Sequence, residues 1–99
     1  SQRFAEQLVT GVLENLTDID GLIGSASTNW KVQRMARVDR NILRMACFEL
    51  RYLADIPPKV TLNEAVEIAK RYGSTESGAF INGILDRIAS LQSAAAQSG

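Results

Sequence analysis

Residues 37–53 read RVDRNILRMACFELRYL, and the order of charged and apolar positions in that run decides the fold. At about 100° per residue, Val38, Ile42, Leu43, Met45, Ala46, Leu50 and Leu53 share one broad face, while Arg37, Arg40, Arg44 and Arg51 cluster in a narrow arc opposite. The spacing predicts one amphipathic helix with its apolar face inward and its arginines outward. Asp39 and Glu49 fall on or beside the apolar side. A carboxylate stays charged there only if it is paired or well hydrogen-bonded. For Glu49 the spacing favours an internal partner, with Lys59, Lys70 and Arg87 as candidates. Asp39 lies near the helix start, where the dipole favours an acid. An exposed contact to a partner and an internal role stand side by side for it.

Working outward from this helix, residues 3–16 place Phe4, Leu8, Val9, Val12, Leu13 and Leu16 at helical spacing, which predicts a core-facing helix. Asp18, Asp20, Gly21 and Gly24 interrupt the run, and Ile19, Leu22 and Ile23 continue the apolar face through a short second helix before a loop at 25–29. Residues 30–35, WKVQRM, read as a helical turn capped by Thr28 or Asn29. Downstream, Pro57 and Pro58 cannot sit inside a helix, so the central one stops before them. Thr61-Leu62-Asn63-Glu64 has the pattern of a capping box opening a helix that runs to Tyr72. Leu62, Ala65, Val66, Ile68, Ala69 and Tyr72 share its inward face, and Gly73 stands where a left-handed cap belongs. Residues 74–77 offer N-caps for a last helix with Phe80, Ile81, Ile84, Leu85, Ile88 and Leu91 inward. Gly83 costs that helix about 1 kcal/mol relative to alanine, for which a close backbone neighbour would account. The organisation is all-α: one domain over residues 1–92 folded as a small antiparallel helical bundle, with a frayed tail at 93–99.

Composition narrows the function. Ninety-nine residues with 45% apolar content suffice for one core. Eleven basic and eleven acidic residues leave no net charge, so affinity for a polyanion has to come from local clustering. Histidine is absent, which excludes Ser-His and Cys-His catalysis and histidine-rich metal sites. Cys47 alone forms no internal disulfide and reads as a small buried apolar residue, as suits the cytoplasm. No apolar run reaches bilayer length and the first residues lack a signal-peptide pattern. Paired catalytic acids and glycine-rich phosphate loops are missing too. The expectation is a cytoplasmic binding protein without catalysis, cofactor or metal.

Two places suit a ligand. From Lys31 to Arg51 there are six basic residues and two acidic ones. Unpaired arginines beside Trp30 would suit phosphate contact and base stacking, where the alternative is an ordinary solvated face. The second place is the corner at 74–80, because free amides at a helix N-terminus attract phosphate. Glu76 opposes that, and capping is the simpler role from the residues alone.

Set side by side, ARVDRNILRMACFEL at 36–50, DIPPKVTLNEAVEIAKRYGS at 55–74 and FINGILDRI at 80–88 resemble the bacterial NusB family of transcription antitermination factors, over about residues 4–90. The resemblance implies an all-helical fold and no catalysis. It implies binding to the boxA element of ribosomal RNA transcripts together with the ribosomal protein NusE, at the RNA polymerase elongation complex. It places Lys31, Arg34, Arg37 and Arg40, with Glu76, Ser77 and Phe80 at the start of the last helix, at the RNA, and Asp39 and Arg44 toward the protein partner. Family members begin with an arginine-rich arm and first helices that supply much of the RNA contact, and nothing here corresponds to them. Weak RNA binding by this chain alone follows, as does a homodimer as one way to cover the apolar surface left open. The alternative is a NusB-like domain accompanying a ribosomal RNA cytosine-5 methyltransferase, from which residues 59–64, KVTLNE, depart toward the free-standing factor.

Overall fold

A computed structural model describes residues 2–28 and 31–98. The described residues form α1 (Gln2–Glu14), α2 (Leu16–Ala26), a 3-10 turn (Val32–Arg34), α3 (Arg37–Tyr52), α4 (Pro58–Tyr72) and α5 (Ser77–Ser98), with no strand among them. The all-α expectation holds. Helix α3 is the axis of the bundle and touches each of the other four helices. Ile19, Ile23, Leu43, Ile81, Leu85 and Ile88 are almost fully buried. Each contributes on the order of 1.5–3 kcal/mol by leaving water. Cys47 is buried as expected. No helix among the described residues is long and apolar enough to cross a membrane.

The inward face of α3 differs from the one its periodicity predicts. Val38 and Met45, assigned to the core, are 38% and 39% exposed, whereas Phe48, on the arginine side, is buried. The cause is that α1 packs on that side. A Cβ added at Gly11 would meet the Phe48 ring at 2.3 Å, so only a glycine lets α1 lie against it. Helix α1 ends at Glu14, and the Asn15 side-chain amide donates back to the Gly11 carbonyl at 2.8 Å. Leu16 therefore starts α2 rather than closing α1.

Helix α4 begins at Pro58, three residues before the expected capping box. Pro57 occupies the cap and Pro58 the first helical position, where a missing N–H costs nothing. Thr61 then lies within the helix, and its hydroxyl donates to Glu49 Oε1 at 2.9 Å instead of capping. Thr61, Ala65 and Ala69 form the buried face of α4, while Ile68 and Tyr72, predicted inward, are exposed. Gly73 is extended (φ −96°, ψ −169°), not left-handed. Close approach explains it: a Cβ there would lie 2.4 Å from Ser77 Oγ and 2.8 Å from the Ala69 carbonyl oxygen.

On α5, Ile81, Ile84, Leu85 and Ile88 are buried as predicted, Phe80 is half-buried, and Leu91 is exposed. Among the described residues, nothing beyond its own helix turn comes within 4 Å of a Cβ placed on Gly83, so they provide no close neighbour to account for it. The helix continues to Ser98 and takes in residues whose composition suggested fraying.

Candidate nucleic-acid interface

The arginine arc of α3 is largely consumed by the fold. Arg44 donates from Nε and Nη2 to the two carboxylate oxygens of Asp20 at 2.9 and 2.8 Å, and the two side chains are only 23% and 25% exposed. The Asp20 bond holds the Arg44 pKa above its ordinary value. Arg51 lies 3.4 Å from Asp18, which also accepts from the Tyr52 hydroxyl. The hydroxyl, then Arg51, hold the Asp18 carboxyl below its usual range. Arg40 is half-buried; its Nη1 donates to the Gln33 carbonyl at 3.4 Å and its Nε has no partner among the described residues. Asp18 and Asp20 are the acids read as a helix interruption. They face α3 because α2 packs along the arginine side.

Arg34 and Arg37 remain exposed, and no ion pair engages them among the described residues. Both stand at the start of α3, which lacks a side-chain cap on Ala36. Its first amides thus add positive potential to the two guanidinium groups. Beside them opens a cleft of about 270 Å³ between the N-termini of α3 and α5, lined by Arg34, Met35, Ala36, Asp39, Ser74, Glu76, Ser77 and Phe80. Asp39 is 9% exposed, and its Oδ1 has no hydrogen-bond partner among the described residues.

The family profile for "NusB family" matches residues 1–90. The chain belongs to the NusB family. The transcription antitermination protein NusB of Syntrophotalea carbinolica is 63% identical over 87 residues, which are 88% of this chain and 56% of that protein. That of Geobacter sulfurreducens is 60% identical over 87 residues, 88% of this chain and 63% of that protein. A crystal form of T. maritima NusB superposes with a TM-score of 0.85 at 51% identity, covering 89% of this chain and 62% of that one. The chain thus spans about three-fifths of the length of these relatives.

Within this NusB fold, five residues singled out from the sequence, Arg34, Asp39, Glu76, Ser77 and Phe80, meet in one cleft. Three corrections accompany that convergence. Asp39 is buried in the cleft wall rather than displayed on the surface. Ser77 is 1% exposed; its Oγ accepts the Ser74 amide at 2.9 Å and lies 3.1 Å from Ser74 Oγ, a capping arrangement that leaves little for a ligand. Arg44, expected toward a protein partner, is held by Asp20.

Lys31 is exposed and lies apart, in a second cleft of about 550 Å³ with Asp20, Gly21, Gly24, Thr28 and Gln33. Trp30 lies outside the described residues. Ser74, part of the corner at 74–80, joins the cleft lining, as do Met35 and Ala36, which the sequence does not single out. Met35 and Ala36 carry no chemical signal, and only the approach of α5 makes them a wall.

Glu49 also departs from expectation. Its hydrogen bond comes from Thr61, while Lys70 lies 3.9 Å from Glu67 and Arg87 donates to the Ala26 carbonyl at the end of α2. Burial pushes the Glu49 carboxyl up, the Thr61 bond opposes this, and the like charge of Glu64 adds to it.

Proposed function

We propose that this chain serves in transcription antitermination, holding boxA-type RNA of ribosomal transcripts together with NusE at the RNA polymerase elongation complex in the cytoplasm. The observation that carries the reading is the meeting of Arg34, Asp39, Glu76 and Phe80 in one cleft at two helix starts. Arg34, Arg37 and, from the neighbouring cleft, Lys31 supply phosphate contacts. Phe80 supplies an aromatic surface for an unstacked base, and Glu76 an acceptor for base amino groups. The buried Asp39 carboxylate would repel phosphate. It suits a guanidinium or ammonium from the protein partner, the donor that best satisfies a desolvated carboxylate. The chain acts by binding, with no reaction of its own.

Three phosphate-facing cations imply modest affinity and a log–log salt slope of about −2 on single-stranded RNA. Fluorescence anisotropy with a boxA RNA and a shuffled RNA of equal length tests this. The boxA RNA binds more tightly, and Phe80→Ala lowers the affinity of the folded fraction for it, with a melt run beside it because Phe80 also packs against the core. Equal affinity for both RNAs, or no effect of Phe80→Ala, contradicts the proposal.

A further inference from the structure

Helices α4 and α5 leave a groove of about 590 Å³ between them, with no α3 residue in its walls. Asn63, Val66 and Lys70 line its α4 wall, and Gly78 and Asn82 its α5 wall. The groove continues the cleft at the start of α5, because Ser74 borders both. Gly78 leaves open the space in which a Cβ would touch the Lys70 stem at 3.6 Å and Val66 at 3.8 Å. Asn63 and Asn82 are exposed. Side-chain hydrogen bonds at this end of the molecule join Thr61 to Glu49 and Ser74 to Ser77, and none engages either carboxamide among the described residues. The charged residues of the groove, Lys70 and Glu67, lie 3.9 Å apart and cancel. The result is a polar groove without net charge, about twice the volume of the cleft beside Phe80.

We infer that this groove is a second RNA subsite, in which Asn63 and Asn82 read the bases next to the one held at Phe80 while the phosphates stay outside it. The inference rests on the RNA reading proposed above and adds sequence readout to it. Charge decides which part of the strand enters. A phosphate gains no counter-charge in a neutral groove and would lose its hydration there. An unstacked base is neutral and presents donor and acceptor edges. A carboxamide holds one acceptor and two donors in a plane, the arrangement that pairs in bidentate fashion with neighbouring donor and acceptor atoms of a base. Val66 and Ala79 add apolar contact for the flat faces. An extended peptide also has amide edges that two asparagines could hold. Continuity favours RNA, since a strand leaving Phe80 past Ser74 runs straight into the groove.

Fluorescence anisotropy tests this with a boxA RNA and a set of derivatives in which one base at a time is replaced by an abasic site. The proteins are the parent chain, Asn63→Ala, Asn82→Ala and Phe80→Ala. Each asparagine replacement should weaken the intact boxA RNA about 5-fold or more and leave the salt slope at about −2, since no phosphate contact is lost. Both side chains are exposed, so the melting temperature should hold. In the asparagine variants, removal of one or two particular bases should cost nothing further, and those bases should adjoin the one whose removal is silent in Phe80→Ala. The inference is overturned, with the RNA reading intact, if boxA RNA is preferred over the shuffled RNA and weakened by Phe80→Ala while the asparagine variants bind as the parent does. It is overturned too if those variants weaken every abasic RNA by the same factor as the intact one, because no base is then read in the groove. Absence of a boxA preference in the parent chain removes the RNA reading and this inference with it.

Discussion

Replacing Arg44 by methionine tests the reassignment of the arginine arc from ligand surface to scaffold. The pair it breaks is bidentate, at 2.9 and 2.8 Å, between side chains about three-quarters buried. Two unit charges about 4 Å apart attract by about 4 kcal/mol at an effective dielectric near 20, and desolvation offsets much of that. Breaking a fully buried pair costs about 3–5 kcal/mol and an exposed one under about 1 kcal/mol. Intermediate burial places Arg44→Met at about 2 kcal/mol, roughly 10 °C in Tm for a domain of this size. Arg51→Ala breaks a 3.4 Å contact between side chains 47% and 41% exposed. It should cost under about 1 kcal/mol. Urea melts of Arg44→Met, Asp20→Asn and the double variant give the coupling, expected at about 1–2 kcal/mol. An Arg44→Met protein as stable as the parent, or no more affected than Arg51→Ala, would refute the reasoning.

Three further outcomes follow from the packing. Gly11→Ala drives a methyl into the Phe48 ring; overpacking of about 1–3 kcal/mol less about 1 kcal/mol of helix propensity leaves a net loss of about 1 kcal/mol in urea melts, and the loss should shrink in a Phe48→Leu background. Cys47 is buried, and desolvation first, then Asp18, push its thiol up to about 12; a thiol-specific dye at pH 8 should label it only on unfolding, and stoichiometric labelling of the native chain within minutes would contradict this burial. The Asp18 carboxyl is held low by the Tyr52 hydroxyl and then by Arg51. A lowered folded-state pKa contributes stability above the unfolded value and loses it as pH falls, so the stability difference between the parent and Tyr52→Phe should be present at pH 6 and fade toward pH 3.

The helix inventory was legible in the sequence because apolar spacing and the Pro57-Pro58 stop are local signals. Which flank of α3 turns inward was less legible. Periodicity sees the arginine arc as a polar face and cannot know that Asp18 and Asp20, one helix away, supply its counter-charges. The same blindness hid Phe48, whose burial depends on the bare backbone at Gly11. Thr61 followed a capping pattern by residue type, but Pro57 and Pro58 had already started the helix. Arg34, Asp39, Glu76 and Phe80 stand out in the sequence mostly through the family resemblance. That they share one cleft follows from α5 docking its start against the start of α3, which no local pattern encodes.

The most direct measurement compares two pairs of arginine replacements in one RNA titration and one thermal melt. Arg34→Ala with Arg37→Ala should lower boxA affinity about 10-fold or more and flatten the salt dependence by about 1.4 log–log units, with little change in Tm. Arg44→Met with Arg51→Ala should lower Tm by roughly 10 °C or more and leave the affinity of the folded fraction unchanged. The reverse pattern, with RNA binding lost on the α2 side of α3 and kept at its N-terminus, would contradict the account.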